Sequence, residues 1–153
     1  MTVPSEQFAY VPRDASLGRA SLAPMLPLTL VGQQTVVTSG LVDSGASINV
    51  LPFSIGAQLG LDWNAQTKAV ELSGNLALVE ARVVVVTMII GRFAPVRQAF
   101  SWAKTDAVPV ILGQVNFFME FDVCFFRSRQ IFEIRAKGNG QAWDPVPTAG
   151  AAP

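Results

Sequence analysis

The sequence predicts an all-β fold. Valine-rich and alternating runs follow one another along most of the 153 residues, with glycine and proline between them. The most apolar run, VVVVTMII at 83–90, is far shorter than the roughly 20 residues that cross a bilayer, so it predicts a buried strand. Half of the residues are apolar and only 14% are charged, which suits one globular domain with a substantial core.

The composition of the chain changes along its length and predicts three parts. Residues 1–20 are mixed and polar, and we expect an N-terminal extension there. Residues 21–137 carry the regular patterns and form the predicted domain. Residues 138–153 are rich in glycine, proline and alanine without periodicity, which predicts a flexible C-terminal tail.

The individual elements follow from their patterns and from the turn residues between them. Two strand-like runs, 24–32 and 34–42, meet at Gly32 and Gln33 and predict a hairpin. Further strands are predicted at 69–72, 76–90, 93–102, 108–112, 120–126 and 130–135. Two stretches, 52–61 and 114–121, are predicted to be helical, and the second places apolar Val115, Phe118 and Met119 at helical spacing.

The composition excludes several classes of function. The chain has no histidine, which removes histidine-activated nucleophiles and the commonest metal ligand. It has one cysteine, so neither a thiolate metal site nor an internal disulfide framework is expected. The 11 basic and 11 acidic residues balance, so we expect no nucleic-acid partner and no membrane partner. With these histidine and cysteine counts we also expect no metal, and we expect no other cofactor. The first 20 residues contain no apolar block, and we therefore expect a cytoplasmic protein.

The segment LVDSGASINVLP, residues 41–52, places a carboxylate in a stretch of apolar and small residues. The preceding strand is predicted to end at Asp43, and Gly45 permits a tight turn that presents the aspartate at its tip. A carboxylate that enters a core needs partners or a chemical role. By itself, however, an Asp-Ser-Gly triplet is most often an ordinary turn.

The context of this triplet resembles the retropepsin-like aspartic proteases. In that family a strand pair leads to an apolar residue followed by Asp-Ser/Thr-Gly-Ala, and an apolar-apolar-Gly element followed by a helix comes later in the chain. Here LVDSGAS is the first element and ILGQVNFF, beginning at Ile111, is the second. The resemblance extends from about Pro24 to Ile134. It implies a closed β-barrel of the acid-protease type with one short C-terminal helix, functional as a C2 homodimer.

The resemblance also implies an activity, aspartic endopeptidase, with Asp43, Ser44 and Gly45 as catalytic residues. Two aspartates held close together share a proton, so that one acts as acid and the other as base on a water molecule. The chain is too short and too free of repeats for two such lobes, and its other aspartates lack the Ser/Thr-Gly context. The second Asp43 would therefore come from a partner subunit.

The resemblance further implies a cleft for an extended peptide, lined by Ala46, Ser73, Gly74, Asn75 and Ile111. The family covers its substrate with a glycine-rich hairpin, the flap. In this sequence Ser73-Gly74-Asn75 is the corresponding turn, and Gly74 is its only glycine. Because Ala46 offers no hydroxyl group that would favour an ionised carboxylate, we expect a less acidic pH optimum than that of pepsin.

Two other interpretations remain open at this point. The chain could be a catalytically silent module of the same fold that serves in dimerisation or protein binding. It could also be an all-β domain in which the Asp-Ser-Gly triplet is an ordinary turn, and monomeric behaviour in solution would favour this.

Overall fold

The computed structural model of the protein describes residues 5–137, so the predicted tail and the first four residues of the predicted extension lie outside the described part. The strands are β1 (Ser5–Ala9), β2 (Val11–Pro12), β3 (Leu22–Ala23), β4 (Met25–Val31), β5 (Thr35–Val42), β6 (Val50–Leu51), β7 (Ala81–Ile89), β8 (Val96–Ala103), β9 (Val110–Leu112), β10 (Phe121–Phe126) and β11 (Ile131–Ala136). The α-helices are α1 (Phe53–Gln58) and α2 (Phe117–Glu120), and short 3-10 turns occupy Ala15–Ser21, Trp63–Ala65, Gly74–Leu76 and Arg127–Arg129.

Six strands close into a barrel in the order β4-β5-β9-β6-β8-β7. This confirms the all-β prediction and the closed barrel. The predicted hairpin is formed by β4 and β5, which pair antiparallel from Met25↔Leu41 to Val31↔Thr35. The end of β5 also pairs parallel with β9, with Leu41 opposite Ile111. This parallel pair brings two distant parts of the sequence to the same rim of the barrel.

A second sheet lies outside the barrel, in the order β1-β11-β10. Strand β1, within the predicted N-terminal extension, pairs antiparallel with β11. The Phe8 ring stacks on the buried Phe132 ring with 5.5 Å between their centroids. Glu6 accepts a hydrogen bond from the Arg92 Nε atom at 2.8 Å, which links β1 to the turn between β7 and β8. Residues 5–9 are therefore integrated into the fold through pairing and packing.

Replacement of Phe8 by alanine should lower the free energy of unfolding by about 2 kcal/mol, because the half-buried ring loses its packing on Phe132. Urea unfolding followed by circular dichroism would measure the change. The control is Leu17→Ala, since the Leu17 side chain is 60% exposed and should contribute little. Equal stability of the Phe8→Ala and wild-type proteins would show that β1 adds nothing to the stability of the domain.

The core of the barrel is aromatic at one end. Trp102 is 1% exposed, stacks on Phe53 at 5.4 Å and meets Trp63 edge-on at 5.2 Å. The Trp102 Nε1 group donates to the Phe53 carbonyl oxygen at 3.1 Å, so its polar atom is satisfied in the core. Gly56 in α1 faces this ring, and a Cβ atom there would lie only 2.2 Å from it. Trp63 and Trp102 are therefore packing residues of the core.

Two predicted elements differ in the structure. Residues 69–72 do not form a strand; they contribute only an isolated bridge, Ala69↔Arg82, and β7 begins later than predicted, at Ala81. The Leu72 side chain is buried while its two sequence neighbours are exposed, which anchors this segment as a loop against the barrel. Helix α2 has a single turn, and it is Phe117 that is fully buried.

The apolar residues that the sequence analysis placed at helical spacing do not form a buried face, since Val115 and Met119 are 61% and 65% exposed. Within residues 5–137, no helix has both the length and the apolar character that crossing a membrane would need.

Candidate active site

Asp43 follows directly after the last residue of β5, at the point where the barrel strand ends. Its backbone N–H donates to the Leu112 carbonyl oxygen at 3.1 Å, which continues the parallel pairing of Val42 with Leu112. The Asp43 residue is half-buried. The pairing of β5 with β9 therefore fixes the position of this carboxylate at the rim of the barrel.

A tight turn begins at Asp43. The Gly45 N–H donates to the Asp43 Oδ1 atom at 2.9 Å, and the Ala46 N–H donates to the Asp43 carbonyl oxygen at 3.1 Å. A Cβ atom on Gly45 would lie 3.2 Å from Oδ1, closer than side chains usually approach. Within the described residues, the Ser44 hydroxyl makes no hydrogen bond inside the chain. The turn thus orients the carboxylate and leaves the Ser44 side chain exposed.

The segment after β9 holds this turn from the other side. The Gln114 side-chain amide donates to the Ser44 carbonyl oxygen at 2.8 Å, and the Gln114 N–H donates to the Ala46 carbonyl oxygen at 2.9 Å. The Val115 N–H donates to the Ser47 carbonyl oxygen, also at 2.9 Å. The two elements that the sequence analysis paired, LVDSGAS and ILGQVNFF, are therefore in direct contact.

Gly113 lets the two segments come this close. A Cβ atom there would lie 2.5 Å from the Ile48 carbonyl oxygen, and backbone atoms have little room to retreat. Glycine is needed at this position because the two backbones almost touch, not because of an unusual φ angle.

A buried asparagine, Asn49, joins the turn to three other parts of the barrel. Its side-chain oxygen accepts a hydrogen bond from the Gly113 N–H at 2.8 Å. Its side-chain amide donates to the Gln98 Oε1 atom at 2.9 Å and to the Ala99 carbonyl oxygen at 3.2 Å. Its backbone N–H donates to the Asn116 Oδ1 atom at 2.9 Å. Asn49 is fully buried, and this network fixes the end of the Asp43 loop.

A cavity of about 490 Å³ lies beside the turn. It brings together five of the residues predicted for catalysis or substrate binding, Gly45, Ala46, Ser73, Gly74 and Ile111. The remaining lining residues are Ser47, Ile48, Val50, Glu71, Leu72 and Leu76.

Asn75 is exposed and does not line this cavity; it lies inside the 3-10 turn Gly74–Leu76, which Ser73 precedes. Gly74 has φ +63°, a conformation that favours glycine. The predicted turn at 73–75 is therefore present at the mouth of the cavity, in a loop and not at the tip of a hairpin.

Asp43 and Ser44 line a second cavity of about 300 Å³ instead. Its other walls are Tyr10, Pro24, Leu41, Val42 and Phe125. Burial raises the pKa of the Tyr10 hydroxyl, and the nearby positive charge of Arg127 opposes this shift. The carboxylate therefore lies between two concave surfaces, with the substrate residues predicted from sequence on one side and the outer sheet on the other.

The other described aspartates have structural roles or lie elsewhere. Asp14 and Asp62 cap short 3-10 turns by accepting backbone N–H groups, from Ser16 in the first case. Asp106 accepts the Ser54 N–H at 2.8 Å at the start of α1. Asp122 lies in β10, and Asp144 lies outside the described residues. Within residues 5–137, one chain therefore presents a single carboxylate at the end of β5.

Three residues of the site carry no motif and were missed in the sequence. Asn49 had a weak signal, because it is a polar residue between apolar Ile48 and Val50. Gln114 and Glu71 had none, since a single polar residue within a predicted helix or strand is ordinary. In the described part of the chain, no group of three or more acidic or cysteine side chains is placed to hold a metal ion.

Of the comparisons with known proteins, the one with solved structures finds similar chains. No protein-family model matches the sequence, and no curated protein resembles it closely enough to count as a relative. Among solved structures, the chain is similar to a retropepsin-like aspartic protease from Rickettsia conorii, with a TM-score of 0.57. The match covers 88% of this chain and 94% of that chain at 14% sequence identity. At such low identity the likeness concerns the backbone, and the chain therefore has a retropepsin-like fold.

Proposed function

We propose that the protein is a homodimeric aspartic endopeptidase. The observation that carries the proposal is the position of Asp43. Its carboxylate lies at the end of β5 in a barrel of retropepsin-like fold, and the segment after β9 holds the glycine-containing turn that begins at Asp43. A carboxylate at a cavity rim that makes no ion pair within residues 5–137 is available for proton transfer.

The proposed reaction uses two such carboxylates and one water molecule. One carboxylate takes a proton from the water, whose oxygen attacks the carbonyl carbon of the peptide bond. The other carboxyl group donates its proton to the carbonyl oxygen, which gives a tetrahedral species with two hydroxyl groups. This species collapses when the first carboxyl group passes the proton it took from water to the leaving amine nitrogen, and one hydroxyl group returns a proton to the second carboxylate. No histidine and no metal ion takes part in these steps, which suits the composition of the chain.

The second carboxylate comes from a second copy of the chain in this proposal. The remaining described aspartates are engaged as caps or lie elsewhere, so one chain offers only half of the dyad. A two-fold axis beside Asp43 would place the two carboxylates opposite each other. Among residues 5–137, strand β10 pairs on one side only and forms an edge of the outer sheet, and its Phe125 side chain is 38% exposed beside Asp43 and Ser44. An exposed edge with apolar side chains is suited to pairing with another copy.

The remaining site residues take supporting roles. Gly45 donates its N–H to the carboxylate, and the exposed Ser44 hydroxyl would reach the partner's turn. The cavity lined by Ala46, Ser73, Gly74 and Ile111 would receive a side chain of an extended peptide substrate. The loop that contains Ser73 and Gly74 would act as the cover of the cleft. Asn75, which is exposed at the same turn, would contact substrate only after that loop closes.

The test compares wild-type protein with Asp43→Asn on a mixed peptide library from about pH 3.5 to 7.5, the range in which carboxylates titrate. Products are identified by mass spectrometry, and light scattering gives the oligomeric state of both proteins. We expect cleavage by the wild-type dimer and a rate lower by at least about 100-fold in Asp43→Asn, because the substitution removes the acid and base groups. An Asn64→Ala variant, altered at an exposed loop position, serves as the control.

Two results would contradict the proposal. Equal cleavage by wild type and Asp43→Asn would place the activity elsewhere. If both proteins form dimers and neither cleaves any peptide, the result would favour a catalytically silent module that serves in dimerisation or protein binding.

A further inference from the structure

We propose that the cavity beside the Asp43 turn selects a basic side chain, lysine or arginine, and that Glu71 determines this preference. The inference rests on the proposed peptidase function and names the substrate class of the same site. It depends on three observations: the shape and apolar walls of the cavity, the position of Glu71 in it, and the absence of a partner for the Glu71 carboxylate within residues 5–137.

The cavity is suited to a long side chain with an apolar stem. Its volume of about 490 Å³ lies within the range of small-ligand sites. The aliphatic side chains that line it belong to strands β6 and β9, to the loop between β5 and β6, and to the segment before β7: Ile48, Val50, Leu72, Leu76 and Ile111. Two of them, Val50 and Leu72, are buried, with 4% and 7% exposure. Lysine and arginine bury such stems against apolar surface while their charged ends stay near water or a counter-charge.

Among the described residues, Glu71 is the only charged one that lines this cavity. It lies in the loop before β7, directly before the buried Leu72, which also lines the cavity. Glu71 itself is exposed and also borders the adjoining cavity. A long side chain that lies along the aliphatic wall would therefore hold its charged end near water and near the Glu71 carboxylate. The arrangement matches the length and polarity of a basic side chain better than those of a leucine or a glutamate.

No residue of the described chain already neutralises Glu71. The Glu71 carboxylate makes no hydrogen bond and no ion pair within residues 5–137. The nearest candidate on the neighbouring strand is Arg82, which borders the adjoining cavity together with Glu71. Its guanidinium group instead lies over the Trp63 ring, 4.4 Å from the centroid, and donates to the Trp63 carbonyl oxygen at 2.6 Å. A positive charge on the substrate would therefore meet an available carboxylate.

The experiment compares matched peptides that differ only at one position near the cut bond, with lysine, leucine or glutamate there. We expect a kcat/KM ratio of lysine to leucine above one in wild type. In Glu71→Gln this ratio should fall about tenfold, the size of one charge-assisted contact at a partly shielded site. In Glu71→Lys the preference should reverse toward glutamate. The matched control is Glu80→Gln, because Glu80 is an exposed glutamate of the same loop that does not line this cavity.

A binding measurement separates failure of this inference from failure of the proposed function. The same peptides, labelled with a fluorophore, are titrated into Asp43→Asn protein with and without the Glu71→Gln change. If Asp43→Asn protein binds the lysine peptide preferentially and the Glu71→Gln change removes this preference, the inference is supported even when wild type cleaves nothing. Cleavage without any preference for a basic residue, or a preference that survives Glu71→Gln, would overturn it while leaving the peptidase assignment in place.

Discussion

A dimer that combines one wild-type subunit with one Asp43→Asn subunit should be inactive. In the proposed mechanism each subunit contributes one carboxylate, and the reaction needs both, one as base and one as acid. An asparagine in one subunit removes one of these two groups from the only site of the dimer. We therefore expect the rate of the mixed dimer to fall by at least about 100-fold, as with loss of a general acid or base.

The mixed dimer is prepared by mixing subunits with two different affinity tags, unfolding and refolding them together, and purifying on both tags in succession. A doubly tagged dimer of two wild-type subunits, taken through the same procedure, is the control. Before either purification, random assortment of equal amounts should leave the refolded mixture with about one quarter of the wild-type activity. Half of the activity would mean that each subunit works independently, and the shared dyad would then be wrong.

The parts of this fold that the sequence predicted are those with a strong local pattern. The hairpin of β4 and β5 follows from two alternating runs that meet at Gly32 and Gln33, and the structure pairs the strands along their whole length. The runs at 108–112, 120–126 and 130–135 likewise contain β9, β10 and β11, with small shifts at their ends. In β4, β5, β9 and β11 the buried side chains lie at alternating positions, and the sequence pattern reports that burial directly, whereas in β10 only Phe121 is buried.

The parts that the sequence did not predict depend on distant partners. Residues 69–72 were predicted to form a strand because they are mostly apolar. In the structure only Ala69 forms a bridge to another strand, and Leu72 packs inward from a loop. The exposure of Val115 and Met119 follows from the single turn of α2, which turns Phe117 toward the core. Pairing and packing over long separations decide such cases, and a local pattern contains no information about them.

The candidate site, like the fold, has parts that the sequence predicted and parts that depend on distant partners. The turn at Asp43 was recognisable because the Asp-Ser-Gly triplet and the later ILGQVNFF segment together resemble the motifs of a known family. The hydrogen bonds from Gln114 to Ser44 and Ala46, however, join residues about 70 positions apart. A glutamine at the end of a strand predicts no such contact, because many surface positions carry glutamine without any partner in the fold.

Replacement of Asn49 by alanine should be the most damaging change among the residues that do not contact substrate. The Asn49 side chain is fully buried and makes three hydrogen bonds, to Gly113, Gln98 and Ala99. Alanine leaves the Gly113 N–H and the Gln98 side-chain oxygen without these partners in the interior. Each such unsatisfied group costs about 1–3 kcal/mol, so we expect a loss of about 3 kcal/mol in the free energy of unfolding.

The position of Asn49 also ties this loss of stability to activity. Its bond to Gly113 joins the end of the Asp43 loop to the segment whose Gln114 holds Ser44 and Ala46. Loss of this hydrogen bond should displace the Asp43 carboxylate. We therefore expect kcat to fall in Asn49→Ala even at a temperature where the variant is fully folded.

The measurements are urea unfolding and peptide cleavage by the same preparations, with Asn64→Ala as an exposed asparagine control. Asn64→Ala should change both quantities little, because its exposed side chain lies away from this network. A loss of less than about 1 kcal/mol in Asn49→Ala would mean that the loop reorganises around the smaller side chain, and the network would then not be what fixes Asp43. Lower stability with unchanged kcat in the folded variant would leave Asn49 a purely structural residue and would assign the positioning of the turn to Gln114 and Val115 alone.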